Sequence, residues 1–133
     1  MKNIKRNILY AAAVGVSVFL LFFVVTCTWI GYEVKDCCQE AQMGYGGDCV
    51  EALIALLGDE ERGFRERNSA VWALGQLGDS RALPILESYY TGDIPDREPL
   101  DGTISQYELK KAINLAGGGV NLTAAFWRFN ISD

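Results

Sequence analysis

Two hydrophobic patterns divide the chain. Residues 8–30, ILYAAAVGVSVFLLFFVVTCTWI, hold no charged side chain, so no helix face there is polar. From residue 49 onward, apolar positions recur at helical intervals with charged positions between them. The first pattern predicts a membrane-spanning helix, because about 20 apolar residues rising about 1.5 Å each cross a bilayer. The same run buried in a soluble core would need a larger protein around it. The second pattern predicts short helices that each bury one stripe.

In GYEVKDCCQEAQM (31–43), Val34, Cys38 and Ala41 share a face, which predicts a short stalk helix. GYGGD (44–48) is a turn, with Asp48 placed to cap the next helix. That helix is CVEALIALLG (49–58), which puts Val50, Leu53, Ile54 and Leu57 at i, i+3, i+4, i+7 and closes on Gly58. DEERGFRER (59–67) reads as a charged connection, and NSAVWALGQLG (68–78) as a second helix. DSRALPILESYY (79–90) reads as a third, capped by Asp79 or Ser80, with Pro84 near its first turn. A Pro- and acid-rich loop (91–102) leads to a fourth helix over 103–118, where Ser105 and Glu108 have capping-box spacing. The apolar, aromatic tail predicts a last short helix or a packed strand-like segment. The domains are therefore an N-terminal stub (1–7), a transmembrane helix (8–30), a stalk helix and Gly-rich turn (31–47), a helical unit (48–118) and an aromatic tail (119–133).

The helical unit repeats itself. CVEALIALL (49–57) lies over ALPILESYY (82–90), and AVWALG (70–75) over AINLAG (112–117), with the acidic loop enlarging the second copy. The stretch RNSAVWALGQLGDSRALPIL (67–86) resembles the HEAT-like repeat of the phycobilisome-lyase type. The resemblance covers roughly 48–118 and implies an all-α fold of stacked α-hairpins, about two repeats here. It also implies a ladder between Asp59, in the turn of the first hairpin, and Arg67, at the start of its second helix. Leu109 stands where the second copy would carry the Arg, so the ladder stops there. A lone α-hairpin cannot bury its apolar stripe, and two repeats are fewer than the usual minimum of about three. The stalk helix and the tail, with Phe126, Trp127 and Phe129, are the local candidates to cover the ends.

Charge orients the chain. Of 12 Lys and Arg, Lys2, Lys5 and Arg6 precede the span, leaving nine against all 17 Asp and Glu beyond it. Cations stay cytoplasmic, so the N-terminus is inside and the repeat unit outside the cytoplasm, as a single-pass membrane protein. An alternative is lipid anchoring at Cys27, since VVTC (24–27) resembles a lipobox; Thr26 fits it poorly. The acidic outer part repels phosphate, which argues against nucleic-acid binding. With no histidine in the chain, Ser-His and Cys-His nucleophile pairs and most catalytic zinc sites are absent.

Candidate chemistry is sparse. Cys37 and Cys38 lie shortly before Cys49; outside the cytoplasm one of them can bridge to it, and Cys38 is favoured because it shares a face with Val34 and Ala41. The remaining thiol is then free or joins a second chain. Residues 97–108 look like half an EF-hand loop, with Asp101, Gly102, Ile104 and Glu108 in place but Arg97 and Pro99 where acids belong, so a capped helix start is the better reading. Trp72, Asn68 and Gln76 are the partner-binding candidates, on a stripe that the family usually leaves polar. The Trp72 ring is either covered by the protein's own tail or presented to a partner. Asn121 and Asn130 head N-glycosylation patterns. Ala11/Gly15 and Ala13/Ser17 have small-xxx-small spacing, which hints at helix pairing and a homodimer.

The sequence therefore reads as a membrane-anchored protein-interaction scaffold, not an enzyme, with no cofactor and no metal. A structural accessory subunit of a larger membrane complex is the alternative. A tetrapyrrole lyase-like chaperone is a weaker one, resting on the family's name alone.

Overall fold

The computed structural model of the protein describes residues 1–131. Every regular element among them is helical. Helix α1 (Lys2–Tyr45) runs unbroken through both the apolar run and the stalk. Gly31 does not interrupt it, and its missing side chain is used: a Cβ placed there would stand 2.6 Å from the Cβ of Trp127. The helix stops at Gly46 and Gly47, both with positive φ (70° and 77°). About 66 Å long by its rise, α1 has a stretch long and apolar enough to cross a membrane, and none of that stretch is buried by the rest of the protein.

Helix α2 (Cys49–Gly58) opens on a complete capping box. The Asp48 side chain accepts from the amide of Glu51 at 2.9 Å, and the Glu51 carboxylate accepts from the amide of Asp48 at 3.3 Å. Helix α3 spans Phe64–Leu77 and begins four residues before the apolar period does. Arg65 and Glu66 are good helix formers facing water, so they extend the helix without leaving an apolar mark. A 3-10 turn (Ser80–Ala82) capped by Asp79 leads into α4 (Leu83–Tyr89), with Pro84 in its first turn. After an irregular loop come α5 (Gln106–Ala116) and a short α6 (Ala124–Trp127) with a terminal 3-10 turn (Arg128–Asn130).

Helices α2/α3 and α4/α5 form two α-hairpins, as the repeat predicts. They stack through α3 on α5. Gly75 lets the backbones close, since a Cβ there would come within 2.8 Å of the Cα of Ala112. The core comprises Leu53 and Leu57 of α2, Val71 and Leu74 of α3, Leu86 of α4 and Leu109 of α5, all fully buried. The outer end of the first hairpin is covered by α1, whose Val34, Cys38 and Ala41 belong to the same core. In the tail, α6 docks on α1, and Arg128 just after it reaches the end of α3, donating to the carbonyl of Gln76 at 2.6 Å.

Candidate interaction surface

Cys38 on α1 and Cys49 at the start of α2 form a disulfide with Cα atoms 5.0 Å apart. The bridge fastens the first repeat helix to the long helix. Cys37 is left as a half-buried free thiol. Burial, reinforced by Glu40, Asp36 and Glu33, pushes its pKa up to about 11, so it is a poor nucleophile at neutral pH. Cys27 is buried in the middle of α1, beneath the tail.

Asp59 and Arg67, the inferred ladder pair, form no direct ion pair among the described residues, although the Arg67 charge helps to lower the Asp59 carboxyl, and each makes other contacts. Arg67 lies a full turn into the helix, facing the end of α2, and its Nε donates to the carbonyl of Leu57 at 2.9 Å. Its guanidinium also lies 5.2 Å from the centre of the Tyr89 ring in the next hairpin. Asp59 accepts from the Tyr45 hydroxyl at 2.5 Å instead, tying the turn of the first hairpin to the end of α1. That bond chiefly holds the Asp59 carboxyl below its ordinary range.

A rung joins the repeats elsewhere. Arg81 reaches Asp48 at 2.7 Å and its own cap, Asp79, at 2.9 Å. Asp48 and Arg81 stand at equivalent places in the two copies, 33 residues apart. The rung therefore links the starts of the first helices of both hairpins. Arg81 is the main reason that both carboxyls lie below the usual carboxylate range.

Two of the three residues proposed on the α3 stripe serve the protein itself. Asn68 is buried; its Nδ2 donates to the carbonyls of Leu100 (3.0 Å) and Thr103 (2.9 Å), and its Oδ1 accepts from the amide of Ser105 (2.8 Å). It is the clasp of the acidic loop and is not available to a partner. Gln76 accepts from Asn121 of the tail at 2.9 Å and is likewise occupied. Trp72 differs. It is half-buried, and α1 covers it rather than the tail, since Glu33, Asp36, Cys37 and Glu40 line with it a recess of about 140 Å³. Trp72 thus shares this recess with three carboxylate side chains.

Pattern reading missed Glu98. Its carboxylate accepts from the amide of Gln106 at 2.6 Å and from the hydroxyl of Ser105, the cap of α5. The half EF-hand dissolves into such contacts: Asp101 pairs with Arg65 at 3.4 Å and Glu108 with Lys111 at 3.2 Å. No cluster of three metal-ligating side chains occurs among the described residues. Asn121 spends its Oδ1 on Thr123 and Ala124 at the start of α6. The second glycosylation pattern, at Asn130, extends beyond the described residues.

Comparison with known proteins agrees with this architecture. Deoxyhypusine hydroxylase of Schizosaccharomyces pombe (strain 972 / ATCC 24843) is 34% identical over 76 residues, which cover 54% of this chain and 24% of that protein. The chain thus spans about a quarter of the length of the curated relative it matches. No solved structure matches the chain. Residues 66–90, which hold most of α3 and all of α4, match the PBS lyase HEAT-like repeat.

Proposed function

We propose that the protein is a single-pass, membrane-anchored scaffold that binds another protein and performs no reaction. The cationic N-terminus lies in the cytoplasm and the hairpins lie outside it. The observation that carries this reading is the continuity of α1, one helix that is bare and apolar at one end and part of the hairpin core at the other. A repeat unit fastened this way, with Cys38–Cys49 as its staple, holds its surface at a fixed height and angle above the bilayer. Tethering also raises the effective concentration of any partner in the same membrane. The relative's hydroxylase activity is not carried over, because the shared part is a minor fraction of that protein.

Trp72 is the anchor of the proposed contact. A cationic partner side chain entering its recess would meet the indole of Trp72 and the carboxylates of Glu33, Asp36 and Glu40 together. Affinity purification of the full chain in mild detergent tests this reading. Glu40→Lys cuts the negative charge of the recess without touching the core and should weaken the retention of partners that the wild type holds, as should Trp72→Ala. Equal recovery from all three proteins would remove this site.

A second reading has its own observation. Nothing comes within 4 Å of where a Gly15 side chain would stand, so the small-residue face of the span is open to another helix. If the protein is an accessory subunit held by that face, or pairs with a second copy there, Gly15→Leu with Ala11→Leu should break the assembly while Glu40→Lys leaves it intact.

A further inference from the structure

We propose that the C-terminal tail is a second membrane-inserted element, laying Val120, Leu122, Phe126 and Phe129 into the lipid beside α1. The inference rests on α1 crossing the bilayer and concerns what else enters it. Four observations support it.

The first is position. Phe126 meets the ring of Phe23 edge-on at 5.3 Å between centroids, and Trp127 seats on Gly31. Phe23 lies seven residues inside the end of the apolar run at Ile30, about 10 Å along the helix. The Phe126 ring therefore reaches past the boundary that the end of the apolar run defines, and Trp127 sits at it. Trp29 and Tyr32, exposed on α1, mark that boundary as interfacial aromatics do.

The second is surface. Val120, Leu122, Phe126 and Phe129 are 84%, 74%, 62% and 81% exposed. Apart from the edge of Phe126 that meets Phe23, they lie mostly open, although the part beyond the apolar run is otherwise strongly acidic. Four exposed apolar side chains within ten residues, one of them seated on the bare face of an apolar helix, match hydrocarbon and not water.

The third is charge. Residues 112–127, AINLAGGGVNLTAAFW, contain none. The next cation, Arg128, turns away from the patch and donates to the carbonyl of Gln76. With no cation directed outward from the tail, the lipid recognised is hydrocarbon at the headgroup border, without a demand for anionic headgroups.

The fourth is direction. Asn68 meets Ser105, Gly75 meets Ala112 and Gly78 meets Leu115, so α3 and α5 run parallel. Trp72 faces residues 33–40 of α1 while Arg65 lies beside Tyr45, so both helices end toward the span. The Gly117–Gly119 turn and the tail therefore emerge at the membrane-facing end.

Thiol reactivity in nanodiscs of zwitterionic lipid tests the proposal on the full chain. Cys27→Ala and Cys37→Ala leave only the paired cysteines, and one new thiol is added at a time. A thiol in hydrocarbon cannot ionise and does not react with a water-soluble maleimide. Leu122→Cys and Phe129→Cys should react at least ~10-fold more slowly than Glu60→Cys, and Val18→Cys within the span should be equally protected. The tail and reference sites are all exposed, so the substitutions spare the core. Should Cys27→Ala disturb α1, the same rates taken with Cys27 retained serve, because that thiol is buried. Leu122→Cys and Phe129→Cys reacting as fast as Glu60→Cys, with Val18→Cys protected, would overturn the tail's insertion alone. A fast Val18→Cys would overturn the membrane reading itself and this inference with it.

Discussion

At Gly75 the backbones of α3 and α5 approach so closely that a side chain has nowhere to go. In an open helix, Gly→Ala gains about 1 kcal/mol of helix propensity. Here the new methyl would stand 2.8 Å from the Cα of Ala112, and overpacking of that kind costs about 1–3 kcal/mol. Gly75→Ala should therefore destabilise the protein in denaturant unfolding. Gly58→Ala, whose nearest neighbour is Ile85 Cδ1 at 3.5 Å, should leave stability unchanged or raise it. Asn68→Ala removes three hydrogen bonds and strands buried groups of the loop, a loss of about 2–3 kcal/mol in the same assay. The residue scale is also where sequence reading reached least far. Capping residues Asp48, Asp79 and Ser105 were legible because their partners lie two or three positions on. Glu98 caps from outside the motif, and Asn68 clasps a loop more than 30 residues away, so no local pattern reports either. The Asp48–Arg81 rung was within reach, because the repeat alignment sets these opposite charges over one another.

Between elements, three fasteners hold α1 and the hairpins together: a disulfide, the Arg81 rung and the Tyr45–Asp59 bond. The Cys38–Cys49 bridge closes a short loop, with a sequence separation of 11, and a loop of that size is worth about 3 kcal/mol. Reduction, or Cys49→Ala, should lower the denaturation midpoint accordingly, and reductant should then have no further effect on Cys49→Ala. The Arg81 rung is exposed and contributes less. Its signature is pH dependence. Asp48 and Asp79 have folded-state pKa values below their unfolded ones, so their contribution is complete above the ordinary carboxylate range and is lost as pH falls through the lowered values. Wild type should melt a few degrees above Arg81→Gln at neutral pH, and the gap should shrink as pH falls below the ordinary carboxylate range. A gap independent of pH would mean that Arg81 acts through packing alone. Pattern placed these helices well where an apolar stripe faces the core. It failed at the start of α3, whose first turn is charged, and at the join of the apolar run and the stalk, where no helix breaker stands.

The molecule as a whole is a two-hairpin stack too small to cover itself, completed by a long helix that also leaves it. The HEAT-like resemblance was legible because its turn and proline positions are local. The role of α1 as the cover of the first hairpin was visible only as three residues on one face, Val34, Cys38 and Ala41. The tail's docking on residues 23–31 was not legible, since Trp127 meets a glycine almost a hundred positions earlier. Both the scaffold and the inserted tail require that α1 cross the bilayer and put its two ends on opposite sides. Protease added to sealed right-side-out vesicles carrying the full chain, with an epitope at each end, reads this out. The C-terminal epitope should be cut, the N-terminal epitope should survive until detergent is added, and alkaline carbonate should leave the chain in the membrane pellet. Both epitopes sharing one fate, or release of the intact chain by carbonate, would contradict a crossing helix.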